Sequence, residues 1–303
     1  MVDTRVNLSG ITLDNPVIPA SGTFGFGREF SELYDINLLG SAVLKGTTLK
    51  PRFGNPLPRI AECRGGMLNS VGLQNPGLYE VINKEIPELA KVFKKPVIAN
   101  ISGFSLDEYV KCAEAMDSVE EVGIIEVNVS CPNVHDGGMA FGTSAETAAS
   151  VSAAVKKAVD KPVYIKLSPN VTDIASIALA CEEAGADGLS LINTLLGMRI
   201  DINSRKPVLA NTMGGFSGPA VFPVAVRMVY QVAQAVNIPI IGIGGIENAE
   251  DVLEMIMAGA TAVQIGAANL IDPFVCRDII AELPKLLEKN GINTLEEIRG
   301  CVK

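Results

Sequence analysis

Residues 239–266 read PIIGIGGIENAEDVLEMIMAGATAVQIG and decide how the chain folds. The short apolar runs Pro239–Gly242 and Ala262–Ile265 are typical of strands, and Ala249–Met257 between them has the apolar spacing of a helix. Neither run alternates apolar with polar residues, so both predict strands of a parallel sheet that is buried on both faces. The segment is therefore one strand–helix–strand unit.

The same unit recurs along the whole chain. Helix-like stretches occupy Ala145–Val159, Asp173–Ala184 and Pro219–Ala235, and six further apolar runs predict strands: Val17–Ala20, Ala42–Lys45, Val97–Ile101, Ile124–Asn128, Val163–Leu167 and Gly188–Asn193. Strands that alternate with helices in this number predict an α/β fold of the (β/α)8 type, a TIM barrel, and a doubly wound open sheet is the alternative. Because no linker or low-complexity segment interrupts the pattern, residues 1–303 are expected to form a single domain.

Two long interruptions fall at the same end of the predicted barrel. The first is an excursion from Gly46 to Pro96 after the second strand, rich in Gly and Pro. The second follows the fourth strand, within EVNVSCPNVHDGGMAFGT at residues 126–143. Because long loops in compact domains are more often functional than idle, we expect the second to be a lid over a ligand.

Composition excludes several classes of function. Apolar residues make up 48% of the 303-residue chain, ample for a large core, yet no run reaches the roughly 20 apolar residues of a membrane span. The net charge of −9 and the lack of a basic run argue against nucleic acid as a partner. The N-terminal MVDTRVNLSG has no apolar signal segment, so a cytoplasmic protein without a membrane partner is expected.

Cysteine and histidine usage argues against a metal site. No two of the six cysteines have C-x-x-C spacing, and His135 is the only histidine, so neither an iron–sulfur cluster nor a histidine-rich metal centre is expected. Thiols stay reduced in the cytosol, which makes disulfides improbable. Apart from Cys131, we assign the cysteines to packing.

Polar residues follow the predicted strands where barrels of this type carry their active sites. These strand-end residues are Ser21, Lys45 with Gly46, Asn100, Asn128, Lys166, and Asn193 with Thr194. For any one of them, capping a helix or reaching solvent is the simpler explanation. Two lysines at the mouth of one apolar barrel, however, need a shared anionic or electron-rich ligand, because burying unpaired charge is costly.

The last two strands end instead in glycine, at Gly244 with Gly245 and at Gly266 with Ala267. Glycine lets backbone N–H groups approach a phosphate closely, and this is where barrels commonly hold one, although tight turning alone would also use glycine. GGFSGP at 214–219 could supply further amides. No G-x-G-x-x-G occurs, so the sequence favours a mononucleotide-like phosphate ester over a Rossmann-type dinucleotide.

The asparagines at the strand ends suit the rest of such a ligand. Asn100, Asn128 and Asn193 each offer a donor and an acceptor, as the edge of a flat heterocycle with alternating carbonyl and N–H groups requires. With a phosphate beyond that ring, flavin mononucleotide (FMN) is the most economical ligand.

Cys131 stands directly after the fourth strand, before Pro132 and a glycine-rich run. A lone cysteine is more often a buried core residue. At a strand end, close to Asn128 and ahead of a movable loop, a catalytic thiol is the favoured interpretation.

At these residues the sequence strongly resembles class I dihydroorotate dehydrogenases. The matching motifs run almost end to end and are highly specific in combination: ASGTFGFG (20–27), LKGTT (44–48), RFGNPLPR (52–59), MLNSVGLQNPG (67–77), NVSCPN (128–133), IKLSPN (165–170), INT (192–194), GGFSG (214–218), GIGGI (242–246) and IGAAN (265–269). The run HDGGMAFGT (135–143) looks like the NAD-dependent B type, which works with a second subunit, rather than the fumarate-using A type.

The resemblance implies oxidation of (S)-dihydroorotate to orotate in pyrimidine (UMP) biosynthesis, with Cys131 as the catalytic base. It implies one FMN held by Ser21, Lys45, Gly46, Asn100, Asn128, Lys166, Ile192, Gly218, Gly244, Gly245, Gly266 and Ala267. It implies dihydroorotate bound by Lys45, Asn69, Ser70, Val71, Gly72, Leu73, Asn128, Asn193 and Thr194.

The resemblance also implies partners. In the B type a second subunit carries FAD and an iron–sulfur cluster and passes electrons to NAD, and a homodimer of this chain forms the core of a heterotetramer. The alternatives are the A type, another flavin-dependent dihydropyrimidine oxidoreductase and, more distantly, a non-redox barrel lyase or isomerase that binds a sugar phosphate.

Overall fold

A parallel sheet forms most of a closed ring in the computed structural model, which describes residues 2–129 and 142–302. Its strands are, in spatial order, β3, β15, β14, β9, β8, β7 and β6, each pair parallel. The strands of the chain are β1 (Val6–Leu8), β2 (Ile11–Leu13), β3 (Val17–Pro19), β4 (Ile60–Cys63), β5 (Gly66–Asn69), β6 (Val97–Ile101), β7 (Val122–Asn128), β8 (Val163–Lys166), β9 (Gly188–Leu191), β10 (Leu195–Met198), β11 (Ile200–Asp201), β12 (Lys206–Pro207), β13 (Met213–Ser217), β14 (Ile240–Ile243) and β15 (Ala262–Ile265).

The segment 42–47 closes the ring between β3 and β6. Val43 N–H donates to the carbonyl of Pro19 at 3.3 Å, and Leu44 N–H donates to that of Ile98 at 2.9 Å. The predicted strand Ala42–Lys45 is therefore wrong as a regular strand, because Lys45 N–H turns to the carbonyl of Gly25 and only isolated bridges form. Its position is nevertheless the eighth of the ring, and the (β/α)8 prediction is confirmed.

Helices follow the ring strands and cover their outer face. They are α1 (Arg28–Ser31), α2 (Leu78–Glu80), α3 (Ile86–Ala90), α4 (Leu106–Asp117), α5 (Ala145–Ala158), α6 (Ile174–Glu183), α7 (Phe222–Ala233), α8 (Ala249–Ala258), α9 (Ala268–Ile271) and α10 (Val275–Lys289), and a π-helical turn (Val81–Glu85) joins α2 to α3.

Side-chain caps explain why the predicted helix starts are close to the observed ones. Asp173 accepts hydrogen bonds from the N–H groups of Ala175 and Ser176 at the start of α6. Asn248 and Asp251 form a reciprocal capping box at the start of α8. Such caps satisfy N–H groups that have no partner within the helix, so the residue type fixes the boundary.

The lower interior of the ring is apolar. Alternate residues of a strand face the same side, and this layer takes Ile18, Val43, Ile98, Ile124, Tyr164, Ile241 and Ala262 from seven ring positions. The β1–β2 hairpin closes it from below with Leu8 and Leu13. The N-terminal end of the ring is thus a packed core rather than a channel.

Two residues further along the strands the interior becomes polar. This second layer contains Lys45, Asn100, Glu126, Lys166, Ser190 and Gln264. All of them except Lys45 are buried. The interior thus changes from apolar to polar within two residues along the strands. Polar side chains therefore collect at the C-terminal end of the ring.

A small antiparallel sheet stands beside that end. Its order is β10, β13, β5 and β4, and β4–β5 comes from the predicted excursion between Gly46 and Pro96. Residues 130–141, which contain the predicted lid, Cys131 and His135, lie outside the described residues. Within the described residues, no helix is both long and apolar enough to cross a bilayer.

Gly188 of β9 faces the aromatic ring of Tyr164, and a β-carbon there would overlap the ring. We predict that Gly188→Ala lowers the free energy of unfolding by about 1–3 kcal/mol, the usual cost of overpacking a core. Urea denaturation measures this, with Gly22→Ala as the control because a β-carbon at Gly22 meets no atom within 4 Å. Equal stability of the two variants would contradict the packing of this layer.

Candidate active site

A cavity opens at the C-terminal end of the ring, between the strand ends and the small sheet. Every residue expected to hold the cofactor lines it: Ser21, Lys45, Gly46, Asn100, Asn128, Lys166, Ile192, Gly218, Gly244, Gly245, Gly266 and Ala267. So do Asn69, Val71, Gly72, Leu73, Asn193 and Thr194 from the expected substrate set. Residues from all parts of the sequence thus meet at one place.

Two expected site residues are not among the lining. Ser70 is fully buried, its N–H donates to the carbonyl of Arg59, and its carbonyl accepts from the side chain of Asn55. Alternation along the strand explains this, because Asn69 faces the cavity and Ser70 must face away. Cys131 lies outside the described residues, so its position relative to the cavity stays a prediction.

Glycines shape one end of the cavity. Gly218 (φ +127°), Gly244 (φ +129°) and Gly245 (φ +74°) have backbone conformations that other residues rarely adopt. A β-carbon at Gly245 would stand 2.7 Å from the backbone nitrogen of Phe222, the first residue of α7. Because a helix N-terminus presents N–H groups and a partial positive charge, this corner suits a phosphate.

Gly266 differs from its neighbours because it has space around it. A β-carbon there would meet only the β-carbon of Ala20, at 4.0 Å, and both residues line the cavity. Backbone conformation therefore does not demand glycine at this position. The glycine leaves the backbone at the end of β15 accessible to a ligand in the cavity.

A buried hydrogen-bond network forms the floor of the cavity. Glu126 Oε1 accepts from Asn100 Nδ2 at 2.6 Å, and Glu126 Oε2 accepts from Gln264 Nε2 at 2.7 Å. Lys166 Nζ lies 3.5 Å from Glu126 Oε1 and donates to Gln264 Oε1 at 3.4 Å. Burial raises the pKa of Glu126, but Lys166, the neighbouring Ser190 hydroxyl and the hydrogen bonds of Gln264 and Asn100 outweigh it and hold that pKa below its usual value.

The opposite side of the network is unsatisfied. Asn100 is 1% exposed, and its Oδ1 has no hydrogen-bond partner among the described residues. A β-carbon at Gly46 would lie 2.8 Å from this oxygen. A buried amide oxygen without a partner costs free energy, so the site is built for a ligand that donates a hydrogen bond here.

Lys45 supplies a second cation of a different kind. In the described part of the chain, no oxygen accepts a hydrogen bond from its ammonium, and it is half-buried in the cavity wall. Burial and the nearby charge of Arg59 lower the pKa of Lys45. The negative charge of an anionic ligand would oppose both effects, which makes this lysine a natural contact for a carboxylate.

The other two asparagines, Asn128 and Asn193, contact each other. Asn193 Nδ2 donates to Asn128 Oδ1 at 3.3 Å, and Asn193 Oδ1 accepts from the N–H of Thr194 at 2.7 Å. Tyr109 Oη donates to the carbonyl of Asn128 at 2.9 Å. The grouping of Asn100, Asn128 and Asn193 expected from the sequence is therefore what the fold produces.

Sequence reasoning missed Glu126 and Gln264, which lie below the cavity lining in otherwise apolar strands. A carboxylate in the run VGIIEVN is the one signal that could have found them, because a charge inside a buried strand needs partners. It also missed lining residues from the small sheet, such as Met67 and Phe216, whose position depends on the tertiary fold.

The assignment of the other cysteines to packing holds only in part. Cys112, Cys181 and Cys276 are buried, and burial raises the pKa of their thiols to about 12, 11 and 12. Cys63 is half-buried and Cys301 is exposed, so for Cys301 the assignment is wrong. The described residues contain no cluster of His, Cys, Asp or Glu suited to a metal ion.

Fold and site together define a (β/α)8 barrel with a polar cavity at the C-terminal ends of its strands, one corner of which suits a phosphate. Residues 4–287 match the family model for dihydroorotate dehydrogenase. The catalytic subunit of dihydroorotate dehydrogenase B (NAD(+)) from Geobacillus sp. (strain WCH70) is 57% identical over 295 residues, which are 97% of this chain and 94% of the relative.

A second relative agrees. The catalytic subunit of dihydroorotate dehydrogenase B (NAD(+)) from Bacillus pumilus (strain SAFR-032) is 57% identical over 296 residues, which are 98% of this chain and 95% of that protein. The chain belongs to the dihydroorotate dehydrogenase family.

Proposed function

We propose that this chain oxidises (S)-dihydroorotate to orotate in pyrimidine (UMP) biosynthesis, using FMN as its bound cofactor. Membership in the family supports this reaction, and the names of the relatives support NAD as the final electron acceptor. The observation that supports FMN as the cofactor is the chemistry of the cavity. It joins a glycine-lined phosphate corner to a floor with an unsatisfied buried amide oxygen and a buried lysine.

The described residues fit FMN part by part. The backbone around Gly218, Gly244, Gly245 and Gly266, with the start of α7, suits the phosphate. Asn100 Oδ1 suits a donor of the flavin ring or ribityl chain, and Lys166 suits its electron-rich edge. When bound, FMN supplies a hydride acceptor, which none of the twenty side chains can be.

The oxidation removes a proton from C5 of dihydroorotate and a hydride from C6, so the site needs a base as well. We assign the proton to Cys131, since thiolates act as bases near neutral pH when cationic groups lower the thiol pKa. Lys45, without a described partner, would contact the substrate carboxylate. Asn69, Asn128, Asn193 and Thr194 would hold the pyrimidine ring in place, which makes orientation part of the rate.

Electrons must then leave the chain. We propose a partner protein with FAD and an iron–sulfur cluster that passes them to NAD, and a homodimer of this chain as the core of a heterotetramer. The relatives are named as catalytic subunits, which supports a separate partner. We further propose that residues 1–303 form one FMN-binding domain, located in the cytoplasm, with no nucleic-acid or membrane partner.

The phosphate corner can be tested at Gly266. Gly266→Leu should weaken FMN binding by the refolded apoprotein at least about tenfold, because the new side chain extends from an uncrowded position into the cavity. Quenching of FMN fluorescence measures the affinity, and thermal unfolding of the apoprotein measures stability. Ala153→Leu, at an exposed position of α5, is the control. Equal FMN affinity of the two variants would contradict the placement of the FMN phosphate in this corner.

The role of Cys131 can be tested separately from cofactor binding. Cys131→Ala should retain FMN but lose its colour with anaerobic dihydroorotate about 100-fold or more slowly, the usual contribution of a general base. Cys131→Ser should keep some activity that rises with pH, since a hydroxyl is a weaker base. Cys301→Ala, which changes an exposed thiol, should behave like the unaltered chain. An unaltered rate in Cys131→Ala would exclude this cysteine as the base.

The proposed function as a whole is tested by the choice of electron acceptor. The purified chain should bleach its flavin with dihydroorotate and reduce an artificial dye, but reduce NAD only after the partner with FAD and the iron–sulfur cluster is added. Each acceptor is assayed in turn with the chain alone and with the partner. Rapid NAD reduction by the chain alone would contradict the proposal of a separate partner. Rapid fumarate reduction would assign the chain to the A type. A chain that contains no flavin and does not oxidise dihydroorotate would refute the proposed function itself.

A further inference from the structure

Glu126 is a fully buried carboxylate at the centre of the barrel that the reaction does not use directly. It stands in β7 between apolar neighbours, one layer above the apolar lower interior of the ring, and is not among the residues that line the cavity. Burying a carboxylate is costly unless it is paired and hydrogen-bonded. Its partners are Asn100 and Lys166 of the cavity lining, Gln264, which also accepts from Lys166, and the neighbouring Ser190 hydroxyl.

The carboxylate determines which end of the Asn100 amide faces the ligand. An ionised carboxylate only accepts hydrogen bonds, so Asn100 must turn its Nδ2 toward Glu126, at 2.6 Å. The Oδ1 of Asn100 then faces away and is left without a partner among the described residues. A group of the ligand that meets this oxygen must therefore be a donor.

The same carboxylate fixes Lys166 by two routes. It lies 3.5 Å from Lys166 Nζ, and it holds the Gln264 amide so that Gln264 Oε1 accepts from the same ammonium at 3.4 Å. Both acceptors of Lys166 thus depend on Glu126. The cation is held in place and its charge is balanced from below.

We infer that Glu126 is a positioning residue for the cofactor: it orients Asn100 as an acceptor and Lys166 as a cation toward the bound FMN. This inference rests on the proposed function. It predicts that FMN affinity depends on Glu126, although this residue does not itself line the cavity.

Glu126→Gln separates this role from simple packing, because the two side chains have nearly the same shape. The new amide carries a donor that faces either Asn100 Nδ2 or Gln264 Nε2, which are both donors. One of these amides must then turn over. If Gln264 turns, Lys166 loses its carbonyl acceptor as well as its carboxylate, and if Asn100 turns, a donor replaces the acceptor in the cavity.

A double variant restores the network with the charge moved by one position. In Glu126→Gln with Gln264→Glu, the amide at 126 can accept from Asn100 and donate to the new carboxylate. That carboxylate replaces the Gln264 oxygen that already lies 3.4 Å from Lys166 Nζ. Residues 100, 126, 166 and 264 can then pair with one another as they do in the unaltered chain, and Asn100 again turns its oxygen to the cavity.

The experiment measures the affinity of refolded apoprotein for FMN by quenching of flavin fluorescence, with circular dichroism and thermal unfolding as checks of folding. Glu126→Gln should bind FMN roughly ten- to hundredfold more weakly, as expected for lost hydrogen bonds between charged groups. The double variant should return to within about threefold of the unaltered chain. Tyr164→Phe, which removes a part-buried hydrogen bond to Ser9 one layer lower, is the control and should bind FMN normally.

Unaltered FMN affinity in a folded Glu126→Gln variant would overturn the inference. So would a folded double variant that binds FMN no better than Glu126→Gln. If Glu126→Gln does not fold, the double variant decides alone, because restored binding supports the inference and lost binding refutes it. Failure of the unaltered chain to bind FMN would instead refute the proposed function, so the two failures are distinguishable.

Discussion

The closed ring of parallel strands constrains everything else in this chain, because it directs every second side chain of eight strand positions into one interior. The lower layer must exclude water, and it does so with branched apolar residues and the ring of Tyr164. In the next layer Asn100, Lys166 and Gln264 pair around the acceptor Glu126, while the Oδ1 of Asn100 and the ammonium of Lys45 have no hydrogen-bond partner among the described residues. The apolar layer thus gives the polar one a rigid support.

Much of the fold can be predicted because it rests on local pattern. The sequence predicts strands at Val97–Ile101 and Ala262–Ile265 with the bounds that the structure gives them. The segment at Ala42–Lys45 departs from a regular strand because its Lys45 N–H bonds to a loop, a contact that depends on the folded neighbourhood. Local sequence predicts which element forms, while tertiary contacts decide where regular pairing ends.

The residues of the candidate site likewise differ in whether local sequence or tertiary contacts determine their position. Strand-end residues such as Asn100 and Lys166 can be predicted, since position after an apolar run is visible in the sequence. The roles of Glu126 and Gln264 cannot, because they come from distant strands that meet only when the ring closes. Ser70 is the opposite case, a predicted site residue that does not line the cavity. It belongs to a continuous motif, in which some side chains face away from the cavity.

The fit between Gly188 and Tyr164 has a consequence for how sequences of this family can diverge. The aromatic ring fills the volume that a side chain at position 188 would need. A lineage that acquires a larger residue at 188 must first, or at the same time, acquire a smaller one at 164, and the reverse order passes through a poorly packed intermediate. The size of the residue tolerated at position 188 therefore depends on the size of the residue at position 164.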